Sequence, residues 1–113
     1  MKIPTDGQLL RIFIGEADKW QGKPLYEEIV YLAKKEKMAG ATAIKGFMGF
    51  GCKSRMHTAK LLRLSEDLPI VIEIVDSEEK INGFLPRLDA MVQEGLITLE
   101  KTNVIMYRAN KKP

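Results

Sequence analysis

Three of the nine glycines in this 113-residue chain fall within six residues, Gly46-Phe47-Met48-Gly49-Phe50-Gly51. Glycine in an extended segment costs backbone entropy. A run of this kind calls for a tight turn or a backbone that comes very close to another group. Lys53, Ser54, Arg55 and His57 follow directly. Main-chain N–H groups beside cationic side chains suit an anion, a phosphate above all. A bulged strand end leading into a solvated loop is the plainer reading of the same residues, and a short glycine pattern does not separate the two.

Two motifs nearly match here and both fail by one residue. A phosphate-binding P-loop needs Gly, four residues, then Gly-Lys-Ser/Thr. Gly46 and Gly51 have that spacing, but Cys52 stands before Lys53-Ser54 and no clear helix follows. The RNA-recognition signature needs Lys/Arg-Gly-aromatic-Gly-aromatic. Lys45-Gly46-Phe47-Met48-Gly49-Phe50 carries Met48 as an insertion, which sends Phe47 and Phe50 to opposite faces of a strand.

Other reactive residues are isolated. His57 is the only histidine and Cys52 the only cysteine. His57 could serve as a general base or contact a phosphate, and Cys52 beside Lys53 and Arg55 could be a thiolate. No second histidine or neighbouring acid completes a triad, so a solvated histidine and a small buried cysteine are the simpler expectations. One of each cannot build a common zinc site, and no metal is expected. Glu16, Asp18, Lys19 and Trp20 read as a solvated loop with one docked aromatic, or as one wall of a ligand pocket. Glu73, alone on an apolar strand, is expected to pair with a base such as Arg11 on the neighbouring strand, or to face a subunit interface.

The elements that must position these residues follow from periodicity. Gln8 to Gly15 is apolar on both faces apart from Arg11, the mark of a central strand. Pro24 opens a helix, along which Leu25, Ile29, Leu32 and Ala33 recur at helical spacing, and Gly40 stops it. Thr42 to Phe50 is the second strand and Leu68 to Val75 the third. Asp76 and Glu79 form a capping pair for a second helix with Ile81, Phe84, Leu85, Leu88, Met91 and Val92 as its buried stripe. Pro86 inside it predicts a kink near Asn82-Gly83. Gly95 ends that helix, and Ile97 to Arg108 is the last strand, with a bulge near Asn103 and a frayed tail over Asn110-Lys111-Lys112-Pro113. Gly51 to Asp67 is too long for a plain hairpin turn, and Leu61, Leu62 and Leu64 within it are expected to dock part of it, a prolonged hairpin being one way; a solvated loop is the plainer alternative.

The order strand, helix, strand, strand, helix, strand gives an α+β, ferredoxin-like βαββαβ fold with one four-stranded antiparallel sheet, the first and third strands central. The length fits one domain over residues 1–113. The net charge of +3, with 45% hydrophobic and 29% charged residues, permits anionic ligands without marking a dedicated nucleic-acid binder. The start of the chain has no apolar signal region and no run is long enough to span a membrane, so a cytoplasmic protein without direct membrane insertion is expected.

Specific residues add a resemblance. Gly40-Ala41-Thr42 enters the second strand, and Gly46, Gly49 and Gly51 stand at the root of a long loop, as in the PII-like signalling proteins. Leu10-Arg11-Ile12-Phe13-Ile14-Gly15-Glu16, the stretch Ser54 to Leu64, Glu66-Asp67-Leu68-Pro69 and Phe84-Leu85-Pro86 resemble, within that group, the uncharacterised bacterial family known as domain of unknown function 190. The resemblance implies a homotrimer with its sheets facing inward and an adenine nucleotide (ADP, ATP or AMP) in the clefts between subunits. It also implies a non-catalytic role, in which the loop after the second strand docks on a target such as a membrane transporter or metabolic enzyme. Thr42 matches the position near the adenine, and Gly46, Phe47, Gly49, Phe50 and Gly51 match the loop root near the phosphates.

The chain also departs from the PII pattern. The second glycine-rich phosphate loop is replaced by Glu94-Gly95-Leu96, no tyrosine for uridylylation lies between Gly51 and Asp67, and Arg108 is the only basic residue near the end of the last strand. Phosphate contacts are therefore expected from Arg11, Lys19, Arg55 and His57 as well. The alternatives are a small enzyme using His57 and a single-stranded nucleic-acid binder stacking bases on Phe47 or Phe50.

Overall fold

The computed structural model describes residues 6–51, 57–58 and 67–110, the pair 57–58 by its backbone. Two strands of alternating burial form its centre. β1 (Asp6–Gly15) buries Leu10, Ile12 and Ile14, and β7 (Pro69–Asp76) buries Ile70, Ile72 and Ile74. They pair antiparallel with Leu10 opposite Ile74, Ile12 opposite Ile72 and Ile14 opposite Ile70. One face is thus a double row of aliphatic side chains, and both helices pack on it. Each such side chain contributes about 1.5–3 kcal/mol on burial. The sheet order is β4-β7-β1-β8, with β4 (Thr42–Lys45) and β8 (Leu96–Asn103) at the edges. The expected first and third strands are the central ones.

Among the described residues, no element covers the opposite face of the sheet. Leu9, Arg11 and Phe13 of β1 lie opposite Val75, Glu73 and Val71 of β7. Ile44 of β4 is opposite Val71, and Leu96 of β8 is opposite Phe13. Ile44, Val71, Phe13 and Leu96 therefore form one apolar band across all four strands. Arg11 and Glu73 meet as expected, Nε to Oε2 at 2.9 Å, and a second arm of Arg11 reaches Glu100 at 2.9 Å.

Between β1 and the first helix, β2 (Lys19–Trp20) and β3 (Lys23–Pro24) form a small hairpin. Its two-residue turn is Gln21-Gly22, both with positive φ (52° and 80°), the combination that matches strand twist. Pro24 pairs in this hairpin and caps the helix rather than starting it, so α1 spans Leu25–Lys35. The helix ends before the expected Gly40. Lys37 takes the left-handed conformation (φ 60°), Met38 N–H donates to Ala33 O and Lys37 N–H to Lys34 O. Those two bonds close a Schellman motif, and buried Met38 and Ala33 supply its apolar contact.

α2 covers Glu78–Met91 as one element that runs through Pro86. Its cap is Ser77, whose Oγ accepts the Lys80 N–H, not the expected Asp76. Asp76 is buried and committed elsewhere, its carboxylate accepting the N–H groups of Ala39 (2.8 Å) and Ser77 (2.7 Å).

The second strand is shorter than expected. β4 stops at Lys45, and β5 (Met48–Gly49) pairs with β6 (His57–Thr58) in a separate ribbon, Gly49 opposite His57. The hairpin is thus prolonged into the expected loop, while Leu61, Leu62 and Leu64 lie outside the described residues. β8 ends at Asn103, five residues before Arg108, and the chain continues without regular structure to residue 110.

Candidate functional site

One end of the sheet gathers the end of β1, the end of β4, the start of β7 and the start of β8. A cavity of about 500 Å³ opens there. Gly46, Met48, Gly49, Phe50 and Gly51 form one wall, and Phe13, Pro69 and Val71 form its apolar floor. Asp18, Asp67 and Glu94 stand at its rim, and none of the described lining residues is a lysine or arginine.

The glycines are explained first by packing. The Gly46 N–H donates to Pro69 O at 2.8 Å, extending the β4–β7 ladder by one bond. A Cβ on Gly46 would stand 3.0 Å from Pro69 Cγ, and one on Gly49 3.2 Å from the same atom. Both glycines thus let the hairpin root lie against the proline ring. Around Gly51, no described heavy atom lies within 4 Å of where a Cβ would be. The Gly46 amide is consequently not available to a phosphate, a correction to the idea that every glycine of the run presents its N–H.

Two acids tie down the adjoining turn. Asp18 Oδ2 accepts the Gly15 N–H at 2.9 Å, and Asp67 Oδ1 accepts the Ala17 N–H at 2.8 Å. The Glu16 N–H donates to Leu68 O at 2.8 Å. A Cβ on Gly15 would run into the Asp67 carboxylate where it accepts the Ala17 N–H. Across the edge strand, Lys45 Nζ sits 2.8 Å from Glu16 Oε2. Tyr26 lies in the field of this pair. Its hydroxyl is held above the ordinary phenol range, first by burial, then by the charge of Glu27 and their hydrogen bond, with Lys45 opposing.

The other nominated residues scatter. Arg11 lies mid-sheet on the uncovered face, engaged by Glu73 and Glu100. The hydrogen bond to Glu73 is the main cause that raises its guanidinium above the usual value, with burial opposing. Lys19 is exposed in the small β2–β3 hairpin. Phe47 and Phe50 are exposed, at 77% and 65%, on the hairpin root beyond β4 rather than on the face of the four-stranded sheet. Arg55, Cys52 and the side chain of His57 lie outside the described residues.

Thr42 and Arg108 do not line the cavity. Thr42 begins β4 opposite Glu73, level with Arg11 in mid-sheet. Arg108 lies beyond β8 and follows Tyr107, whose hydroxyl donates to Ala39 O. Phe13, Asp67 and Pro69 line the cavity and are not among the residues nominated from the sequence. Only the adjacent Asp67-Leu68-Pro69, at the far end of the loop, carried a visible signal.

Comparison with known proteins gives a consistent picture. The matching family is described as Uncharacterized ACR, the domain of unknown function 190, and the match spans residues 7–104. A UPF0166 protein of Aquifex aeolicus (strain VF5) is 41% identical over 98 residues, 87% of this chain and 92% of that one. A UPF0166 protein of Methanocaldococcus jannaschii is 38% identical over 98 residues, 86% and 90% of the two chains. Among solved structures, CPII from Thiomonas intermedia K12, a nitrogen regulatory PII-like protein bound to ADP, AMP and bicarbonate, aligns with a TM-score of 0.60 over 88% of each chain at 22% identity. CPII bound to ADP, AMP and acetate aligns with a TM-score of 0.56 over 92% of each at 19% identity. At these identities the likeness to CPII is one of fold.

Proposed function

The chain belongs to the family described as Uncharacterized ACR, the domain of unknown function 190, and on that premise we propose that it is a non-catalytic PII-like regulator that binds an adenine nucleotide. The observation that carries the reading is the glycine-walled cavity opening beside an uncovered apolar sheet face. A second and third copy meeting on that face, with residues 1–113 as one domain each, would complete three clefts in a cytoplasmic homotrimer. The solved relative in fold binds ADP and AMP.

Thr42 starts and Gly46 follows the same edge strand, about 13 Å apart at strand rise. A nucleotide laid along that edge would have its base at Thr42 and its phosphates at the hairpin root. With the Gly46 N–H engaged, the phosphates fall to the main chain of Gly49 to Gly51. Their charge would be met by Lys19, Arg55 and His57, since the described rim is acidic. Ligand binding at the hairpin root would change the surface that the loop after the second strand offers to a target, such as a transporter or metabolic enzyme. Among the described residues no helix is long and apolar enough to cross a membrane, and no acidic, histidine or cysteine group is gathered as a metal site.

Calorimetric titration with ATP, ADP, AMP and cyclic nucleotides tests the proposal. Saturable binding of at least one is expected, and no heat from any of them at millimolar concentration overturns it.

A further inference from the structure

The helices carry a second concave surface, on the side of the sheet away from its uncovered face. A cavity of about 510 Å³ lies along the seam of α1, α2 and the small β2–β3 hairpin. Trp20, Leu32 and Met91 give it apolar walls, and Tyr31 stands beside them with 60% of its surface exposed. Exposed aromatics beside an open groove have the composition of interface anchors. The charges along this groove are ordered. Glu28 lines it from the first turn of α1 and Lys35 from the last, on the same stripe as Tyr31 and Leu32. Seven steps of helix rise set them about 10 Å apart. Neither forms an ion pair with another described residue. Arg87, bonded to Glu36 at 2.8 Å, adds a second cation at the Lys35 end. The helix dipole favours this order of charge, but it is indifferent to where around the helix the charges stand. Here both face the groove.

We propose that the occupant of this groove is the same groove of a second copy, α1 lying antiparallel to α1 about a two-fold axis. Tyr31 and Leu32 stand midway between Glu28 and Lys35. A two-fold axis at their level therefore sets Glu28 of each copy opposite Lys35 of the other. Tyr31 of each copy then fills the space beside Trp20 and Met91 of the other. A different partner would have to match both ends of the groove in opposite sign, whereas a second copy does so by symmetry. The contact uses the helix side alone. It leaves the sheet face free for the trimer proposed above and does not depend on a nucleotide. One helix stripe and a hairpin from each copy make a small interface, so the pairing is weak and concentration-dependent.

Sedimentation of the full chain at low salt, up to millimolar concentration, tests the pairing. The parent is expected to associate beyond its smallest assembly, with the emission of Trp20, the only tryptophan, moving to shorter wavelength in step. Glu28→Lys and Lys35→Glu each set like charges opposite one another at both ends of the contact. Each variant alone is expected to pair about tenfold more weakly. An equimolar mixture of the two sets unlike charges at both ends again and should recover the parental association. Tyr31→Ala should lose it with an unchanged melting temperature, the ring being exposed in the single chain. A parent that does not associate further, or whose association survives both charge reversals, overturns the proposal. A mixture that associates no better than either variant overturns the two-fold register. Doubling of a monomer rather than of a trimer supports the pairing and counts against the sheet-face assembly instead.

Discussion

The Pro69 carbonyl oxygen accepts the Gly46 N–H at 2.8 Å while the ring of the same proline fills the space where Gly46 lacks a side chain. One residue at the start of β7 thus fixes both the last ladder bond of β4 and the direction in which the prolonged hairpin leaves the sheet. Gly46→Ala is expected to cost about 1–3 kcal/mol by overpacking. Gly49→Ala should cost less, its contact being 3.2 Å rather than 3.0 Å. Chemical denaturation measures both, and Pro69→Ala should restore most of the loss in Gly46→Ala. An unchanged midpoint for Gly46→Ala would remove the close approach as the reason for the glycine.

Asp76→Ala deletes a buried carboxylate that satisfies two main-chain donors. Leaving both without partners is expected to cost about 3 kcal/mol, a fall in melting temperature of more than roughly 10 °C for a chain of this size. Asp76→Asn, which keeps one acceptor, should fall in between. A melt within a degree or two of the parent for Asp76→Ala would show that the two amides find other acceptors.

Arg11→Leu separates the two settings of the Arg11–Glu73–Glu100 group. In the isolated chain its side chains are 36% exposed or more, so the pairs behave as surface ion pairs of about 0–1 kcal/mol. Facing two other copies, the same substitution would leave two carboxylates per chain unpaired against an apolar band. Sedimentation over a concentration series is expected to show dissociation of the proposed trimer by Arg11→Leu, with little change in the fold of the monomer by circular dichroism. An assembly of unchanged affinity would mean that copies meet elsewhere.

Tyr26 supplies a pH signature. A phenol whose pKa is raised in the folded state keeps its proton where the unfolded chain loses it. The associated stability is present below the ordinary phenol value of 10.0 and is lost as pH rises through the folded value. Tyrosinate absorbance should therefore show a component above pH 10 that disappears in Tyr26→Phe, and the variant should lose less stability over that alkaline window. Identical titration curves would contradict the burial of the hydroxyl.

What the sequence made legible is what period-two patterning controls. The buried rows of β1 and β7, their central places, and the Arg11–Glu73 pair all follow from alternation and register. Boundaries went astray where a long-range contact decided between local equals. Asp76 and Ser77 are both good helix caps. Ala39, thirty-seven residues away in sequence, engages the first and leaves the second at the helix end. Lys37 turns the chain where Gly40 was expected, because Met38 and Ala33 close an apolar contact that no propensity records. The second strand lost its far half because Gly46 is the last residue to bond Pro69. At the site, the glycine run was visible but its first purpose was not, since Pro69 lies twenty-three residues on. Tyr107 left no local signature at all, its partner being sixty-eight residues earlier.

The band of Ile44, Val71, Phe13 and Leu96 takes one side chain from each of the four strands. A slip of one residue in any strand would turn its member to the helix side and break the band. On the proposed trimer, a neighbour docking on that face touches all four strands at once. Assembly then works as a proofreading step: a chain misaligned in any one strand offers its sisters a broken surface and is left behind as a monomer.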